Sequence, residues 1–144
     1  MIHRGHVLLT SLSPTPRGAT YFLGEETAFA HQSPLALIQL LPHQDLPEKI
    51  IVLCTDEIQK EQFANTKKQM LEGLETRGIY VNGDVITDVS IPDGESAQEL
   101  WEILRAILDH VPSGVNLTLD ITHGFRSFHF IFFTAAVFLE ALRD

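Results

Sequence analysis

Hydrophobic positions along the chain switch repeatedly between a strand-like and a helix-like spacing. His6 to Leu12 (HVLLTSL) is a β-type apolar run, and the Ser13-Pro14-Thr15-Pro16-Arg17-Gly18 stretch after it holds two prolines that no helix could cross. Thr20 to Leu23 predicts a short strand or hairpin arm, ended by Gly24. Ser33-Pro34 opens a helix through about Leu41, since serine suits the N-cap and proline the first helical position. Lys49 to Thr55 (KIIVLCT) is continuously apolar after its first residue, as expected of a strand covered on both faces. Asp56 to Arg77 predicts a charged amphipathic helix with a solvated face, stopped by Gly78. Ile79 to Ile91 alternates loosely, and Asn82-Gly83 is a turn signal that would split it into a hairpin. Ser96 to Val111 places Leu100, Ile103, Leu104, Ile107 and Leu108 at helical spacing before Pro112-Ser113-Gly114 breaks it. Val115 to Ile121 is a strand, and Gly124 to Arg143 the final helix.

Strands that alternate with helices imply βαβ units, right-handed crossovers and a mostly parallel sheet. The expected fold class is α/β, a Rossmann-like three-layer sandwich with a mostly parallel central sheet. At 144 residues the chain supports a single domain. It ends on a helix where such a domain normally adds a strand, so residues 1–144 are expected to be the N-terminal part of a longer protein.

A formal charge of −9 leaves no broad basic face for long nucleic acids or anionic membranes, while a small anion in a locally positive pocket remains compatible. Cys54 is the sole cysteine, so there is no internal disulfide and no CxxC zinc pattern; a cytoplasmic location fits. The apolar core of the last helix, Phe130 to Leu139, is shorter than the roughly 20 residues a bilayer requires. It therefore reads as a buried helix. That helix is apolar nearly all round, and in so small a domain part of its phenylalanine stripe would form a subunit or domain interface.

In an open α/β sheet, ligands collect beyond the carboxyl ends of strands. Two loops lie there: Ser11 to Gly18 after the first strand, and Thr122 to Ser127 before the last helix. The second offers unpaired backbone N–H groups at a helix N-terminus, with Gly124 allowing close approach. Arg126 supplies a bidentate guanidinium, Thr122 and Ser127 supply hydroxyls, and Arg17 adds charge from the facing loop. Structural roles compete with each of these. Gly124 could cap a turn, Arg126 could pair with Asp120, His123 could be a structural hydrogen-bonder, and Asp120 could fix loop backbone. Ser11, His123 and Asp120 could be composed into a hydrolytic set, though any chain of this size offers such combinations. Walker, GxGxxG and GxSxG motifs are missing, and the seven histidines lack metal-ligand spacing. No cofactor and no metal is expected.

The segment Leu119 to Ser127 (LDITHGFRS) closely resembles the signature of CRISPR-associated Rossmann-fold (CARF) sensor domains, found in ancillary effectors of type III CRISPR systems. Thr20-Tyr21, Thr55-Asp56-Glu57, and Ile91-Pro92-Asp93-Gly94 before Glu99-Leu100-Trp101-Glu102-Ile103 agree in order, so the resemblance spans about His6 to Leu142. It implies a homodimeric sensor that binds cyclic oligoadenylate, with cyclic tetra-adenylate favoured over hexa-adenylate, and allosterically regulates an attached effector such as a HEPN ribonuclease. The alternative is a metal-independent ring nuclease that cleaves the same ligand. The implied ligand-binding residues are Ser11, Leu12, Ser13, Thr15, Arg17, Tyr21, Thr122, His123, Gly124, Phe125, Arg126 and Ser127. Ser11, Thr15 and His123 would be catalytic if the ring is cleaved. Tyr21, Phe22 and Phe125 are candidate walls for adenine. This chain departs from the family pattern in having Ser-Leu-Ser-Pro-Thr-Pro-Arg where relatives carry a glycine-rich turn, and Phe128-His129 where a proline is common.

Overall fold

The computed structural model describes residues 5–120, 122–123 and 126–141, with backbone alone for 126–130 and 132. Four strands build a wholly parallel sheet: β1 (His6–Ser11), β4 (Lys49–Cys54), β5 (Ile86–Ser90) and β6 (Asn116–Leu119), in the order β5-β4-β1-β6. Leu8 pairs with Ile50 on one side and Thr118 on the other, which puts β1 at the centre. Strands β2 (Ala19–Leu23) and β3 (Glu26–Ala30) form a separate antiparallel ribbon between β1 and the first helix.

Successive strand side chains point to opposite faces, so the apolar runs fill two cores at once. Val7, Leu9, Ile51, Leu53 and Val89 pack under α4 (Ala97–His110) and α5 (Arg126–Ala141). Leu8, Ile50, Val52, Cys54 and Ile86 pack on the other face, together with Ile38 of α1 (Ser33–Leu40) and Met70 and Leu74 of α3 (Ala64–Thr76). The three layers expected from the alternation are therefore present. Burial pushes the Cys54 thiol up to about 12, with the Asp88 charge adding to it. Such a thiol carries no thiolate at neutral pH.

The helix expected over Asp56 to Arg77 runs as α2 (Asp56–Ile58), a π turn over Gln59–Phe63, and α3. Its polar face is solvated, while Ile58, Phe63, Met70 and Leu74 face the sheet. Gly78, at φ +83°, ends it with the Ile79 N–H donating to the Leu74 carbonyl at 2.9 Å. Ser96 caps α4 by accepting from the Glu99 N–H, as its position suggested.

Two expectations change. No hairpin forms at Asn82-Gly83: Tyr80 and Val81 are exposed, and Gly83–Val85 is a 3-10 turn that delivers the chain to β5. A parallel neighbour for β4 needs a crossover, and residues 79–85 are consumed in completing it. The arm expected at Thr20–Leu23 is present as β2, paired with β3 across the two-residue turn Gly24-Glu25, with Gly24 at φ +62°. Finally, Gln32 and not Ser33 occupies the N-cap of α1, which leaves the Ser33 hydroxyl for a distant partner.

On α5, Ile131 and Ala135 are buried, whereas Phe133, Val137 and Phe138 are exposed on its outer side. Phe125, and the side chains of Phe128, Phe130 and Phe132, lie outside the described residues. Among the described residues no helix is long and apolar enough to cross a membrane.

Arg77 ties the two helices of one layer together. Its guanidinium donates to the carbonyls of Ile38 (2.8 Å), Gln39 (3.1 Å) and Leu41 (2.8 Å), the orphan acceptors at the end of α1. Arg77→Met keeps the aliphatic stem and removes those donors. It is expected to lower stability by about 1.5–3 kcal/mol, as a reduced urea midpoint at unchanged m.

Candidate functional site at the strand-order reversal

From β1 the chain proceeds outward to β4 and β5, then returns to place β6 on the other side of β1. The connection after β1 leads to α1 on one face, and that after β6 leads to α5 on the opposite face. The two loops therefore diverge above neighbouring strand ends and leave a crevice, the usual ligand position in this architecture. Both candidate loops, Ser11 to Gly18 and Thr122 to Ser127, begin there.

Asp120 holds the crevice together. It is almost fully buried, and its N–H extends the β6 ladder by donating to the Leu9 carbonyl at 2.9 Å. One carboxylate oxygen accepts from the Thr10 hydroxyl at 2.7 Å and from the Ser33 hydroxyl. The other accepts from the Thr122 N–H at 3.1 Å and the Thr122 hydroxyl at 2.6 Å. One side chain thus joins β1, the start of α1 and the loop toward α5. Of the two roles open for Asp120, fixing loop backbone is the one this geometry performs.

A second pair of contacts pins the facing loop. Gln32, itself buried, accepts from the Ser13 N–H at 2.8 Å and donates to the Ser13 carbonyl at 3.0 Å. Ser13 Oγ in turn accepts from the Thr15 N–H at 3.2 Å. Across the crevice, the buried Ser11 hydroxyl donates to the His123 carbonyl at 2.8 Å, so the two loops are directly bonded. Leu12 is buried beside it, while Thr15, Arg17 and Thr122 are exposed on the rim. Tyr21, half-buried on β2, feels both burial and the Asp120 charge, and both push its phenol above 10.0. Phe22, the other candidate adenine wall on β2, is exposed.

These placements do not assemble a Ser-His-Asp relay. Ser11 donates to the backbone of His123 and not to its ring, and the Asp120 oxygens are taken up by hydroxyls and an N–H. The buried Nε2 of His123 has no hydrogen-bond partner. Burial lowers this imidazole below its ordinary 6.5, and the Asp120 charge offsets only part of the effect. Gly124 and Phe125, and the side chains of Arg126 and Ser127, lie outside the described residues; Arg126 begins α5.

A cleft of about 480 Å³ opens next to the crevice, over the ends of β1, β4 and β5. Ser11 and Leu12 form its near wall, and Glu57, Asp93 and Glu95 line its far side. Sequence reading missed this cleft and also missed Gln32. The cleft's residues come from three separate connections, and a glutamine ahead of Ser-Pro carries no signature of its own. The Ile91-Pro92-Asp93-Gly94 and Thr55-Asp56-Glu57 stretches were the available signals.

Fold and geometry together define a Rossmann-like α/β domain with a crevice at its strand-order reversal. Compared with known proteins, the chain matches no protein-family model and no curated protein.

Asp120→Ala orphans the Ser33 hydroxyl, leaves Thr10 only its 3.2 Å bond to the Ser11 carbonyl, and frees Thr122. A loss of about 3 kcal/mol is expected by urea denaturation, since hydrogen bonds to an ionised acceptor are worth about 1.5–3 kcal/mol each before desolvation is subtracted. The depressed His123 pKa gives a pH signature. Just below pH 6.5 the unfolded chain binds the proton that folded His123 refuses, so this residue's contribution is full above 6.5 and is lost as pH falls. Between about pH 7 and pH 5, the urea midpoint of wild type should fall more steeply than that of His123→Gln.

Proposed function

We propose that this domain is a cyclic-oligoadenylate sensor that binds a ring of adenylates at the crevice of a homodimer, cyclic tetra-adenylate in preference to hexa-adenylate. On this reading it regulates an attached effector in type III CRISPR defence. The observation that supports it most is the coupling of the LDITHGFRS loop to the loop after β1, through Asp120 and through the Ser11 to His123 hydrogen bond. A sensor needs two ligand-contacting loops that move as one unit, and here neither can shift without breaking bonds to the other.

The chemistry is consistent with a small polyanion on an acidic protein. Backbone N–H groups at the start of α5 and the Arg126 guanidinium would receive phosphate. Arg17 would add charge from the facing rim. A ring with an even number of phosphates can share the two-fold axis of a dimer, so two modest anion sites act on one ligand. Binding would then bias the dimer toward whichever arrangement holds the ring more tightly. Ring cleavage is the weaker reading. Ser11 is buried and engaged, and the Nε2 of His123 is buried within the same loop.

Calorimetry with cyclic tetra- and hexa-adenylate, and a linear oligoadenylate as control, tests the reading. Cyclic tetra-adenylate should bind a dimer at one ring per two chains. Arg126→Ala should weaken it by about 1.5–3 kcal/mol, the worth of charge-assisted hydrogen bonds to phosphate. Absence of heat and of thermal stabilisation with either ring, or a strictly monomeric chain at working concentration, would overturn the proposal.

A further inference from the structure

The antiparallel ribbon has one covered strand and one open strand. On β3, Ala28 and Ala30 are buried against Ala36 and Leu40 of α1. On β2, Phe22 is 72% exposed and Leu23 45%, with Ala19 and Thr20 also at the surface. Its sequence, ATYFL, holds no charge and no proline, and its pairing with β3 runs without a bulge. Charges, prolines and bulges are the devices that normally stop a free edge from pairing again.

The turn fixes which backbone groups lie on that edge. In a two-residue hairpin the closing pair, here Leu23 and Glu26, exchanges hydrogen bonds, and bonded pairs recur at every second position. Tyr21 with Ala28 and Ala19 with Ala30 are therefore bonded pairs, and the N–H and C=O groups of Thr20 and Phe22 point away from β3. Among the described residues nothing pairs with them. Charge frames the edge at both ends. Arg17 precedes β2 and Glu25 follows it in the turn; both are exposed, and neither is in an ion pair among the described residues.

We propose that β2 pairs antiparallel with β2 of a second copy, about a two-fold axis at Tyr21, so that the two ribbons form one four-stranded sheet. Of the registers the pleat allows, this one lets Thr20 exchange hydrogen bonds with the partner's Phe22, and Phe22 with the partner's Thr20. It also sets Arg17 opposite the partner's Glu25 and Glu25 opposite the partner's Arg17. The edge is thus complementary to itself, as a two-fold contact requires. At the axis Tyr21 lies beside the partner's Tyr21, and both point to the face of the sheet that carries the crevices, where the Asp120 charge reaches the phenol. Each crevice then has a tyrosine from the other chain next to its own. That consequence rests on the reading of the crevice as a ring site shared by two chains; the strand pairing itself does not.

Sedimentation of the full chain without ligand tests the pairing. Arg17→Glu sets like charges against each other at both ends of the contact, and so does Glu25→Arg. Each should raise the dimer dissociation constant about tenfold or more, with unfolding midpoints near wild type because both positions are exposed. An equimolar mixture of the two variants should associate nearly as well as wild type, since unlike chains then meet with opposite charges at both ends. Val137→Glu, on the exposed apolar side of α5, should leave the dimer intact. A monomeric wild type, charge variants that associate as wild type does, a mixture no stronger than its components, or a dimer lost only with Val137→Glu would overturn the pairing. Calorimetry of wild type with cyclic tetra-adenylate separates the two claims. Ring binding to a dimer that the charge variants leave intact removes the pairing and leaves the sensor reading standing. Charge-dependent pairing in a chain that binds no ring does the reverse.

Discussion

Burial of a carboxylate among neutral donors is the constraint on which the crevice depends. Removing Asp120 from water costs free energy that only a full set of hydrogen bonds can offset. Those bonds come from Thr10 on the central strand, Ser33 at the start of a helix, and Thr122 in the loop that follows. None of these donors is near in sequence to both of the others. The carboxylate is satisfied only when β1, α1 and the β6 connection are all in place, so local order at the crevice and tertiary order of the domain are the same event.

The crevice and the cleft next to it follow from one topological fact. Strand order reverses at β1, and the helices that follow β1 and β6 lie on opposite faces of the sheet. That divergence leaves strand ends uncovered between them. On the β6 side the described rim carries Thr122; on the β5 side Asp93 and Glu95 flank the turn that Glu99 closes. The ordering of loops, not the net charge of −9, decides which groups line the crevice and which the cleft.

Much of the architecture was legible in the sequence where a residue's role is local or two-sided. KIIVLC reads as a buried parallel strand because both of its faces are apolar, and Ser96 reads as a cap because its partner is three residues away. The segment ETAFA was not legible as a strand. Alanine is a poor strand former, and Ala28 and Ala30 are there to approach Ala36 of α1 closely. Ser33 misled for a related reason: serine before proline signals an N-cap, yet its hydroxyl serves an acceptor 87 positions away. The two crevice loops could be placed from proline, glycine and serine chemistry alone. Their mutual bonding, and the cleft walled by connections from three strands, are tertiary facts without a sequence period.

The buried Cys54 has a practical corollary. A lone thiol sealed in the core and held almost wholly protonated is silent toward maleimides and disulfide reagents in the folded state. A cysteine introduced on the crevice rim would therefore be the single modifiable position. Fluorophores or spin labels placed there would report loop separation directly, with no background and no need to remove the native residue.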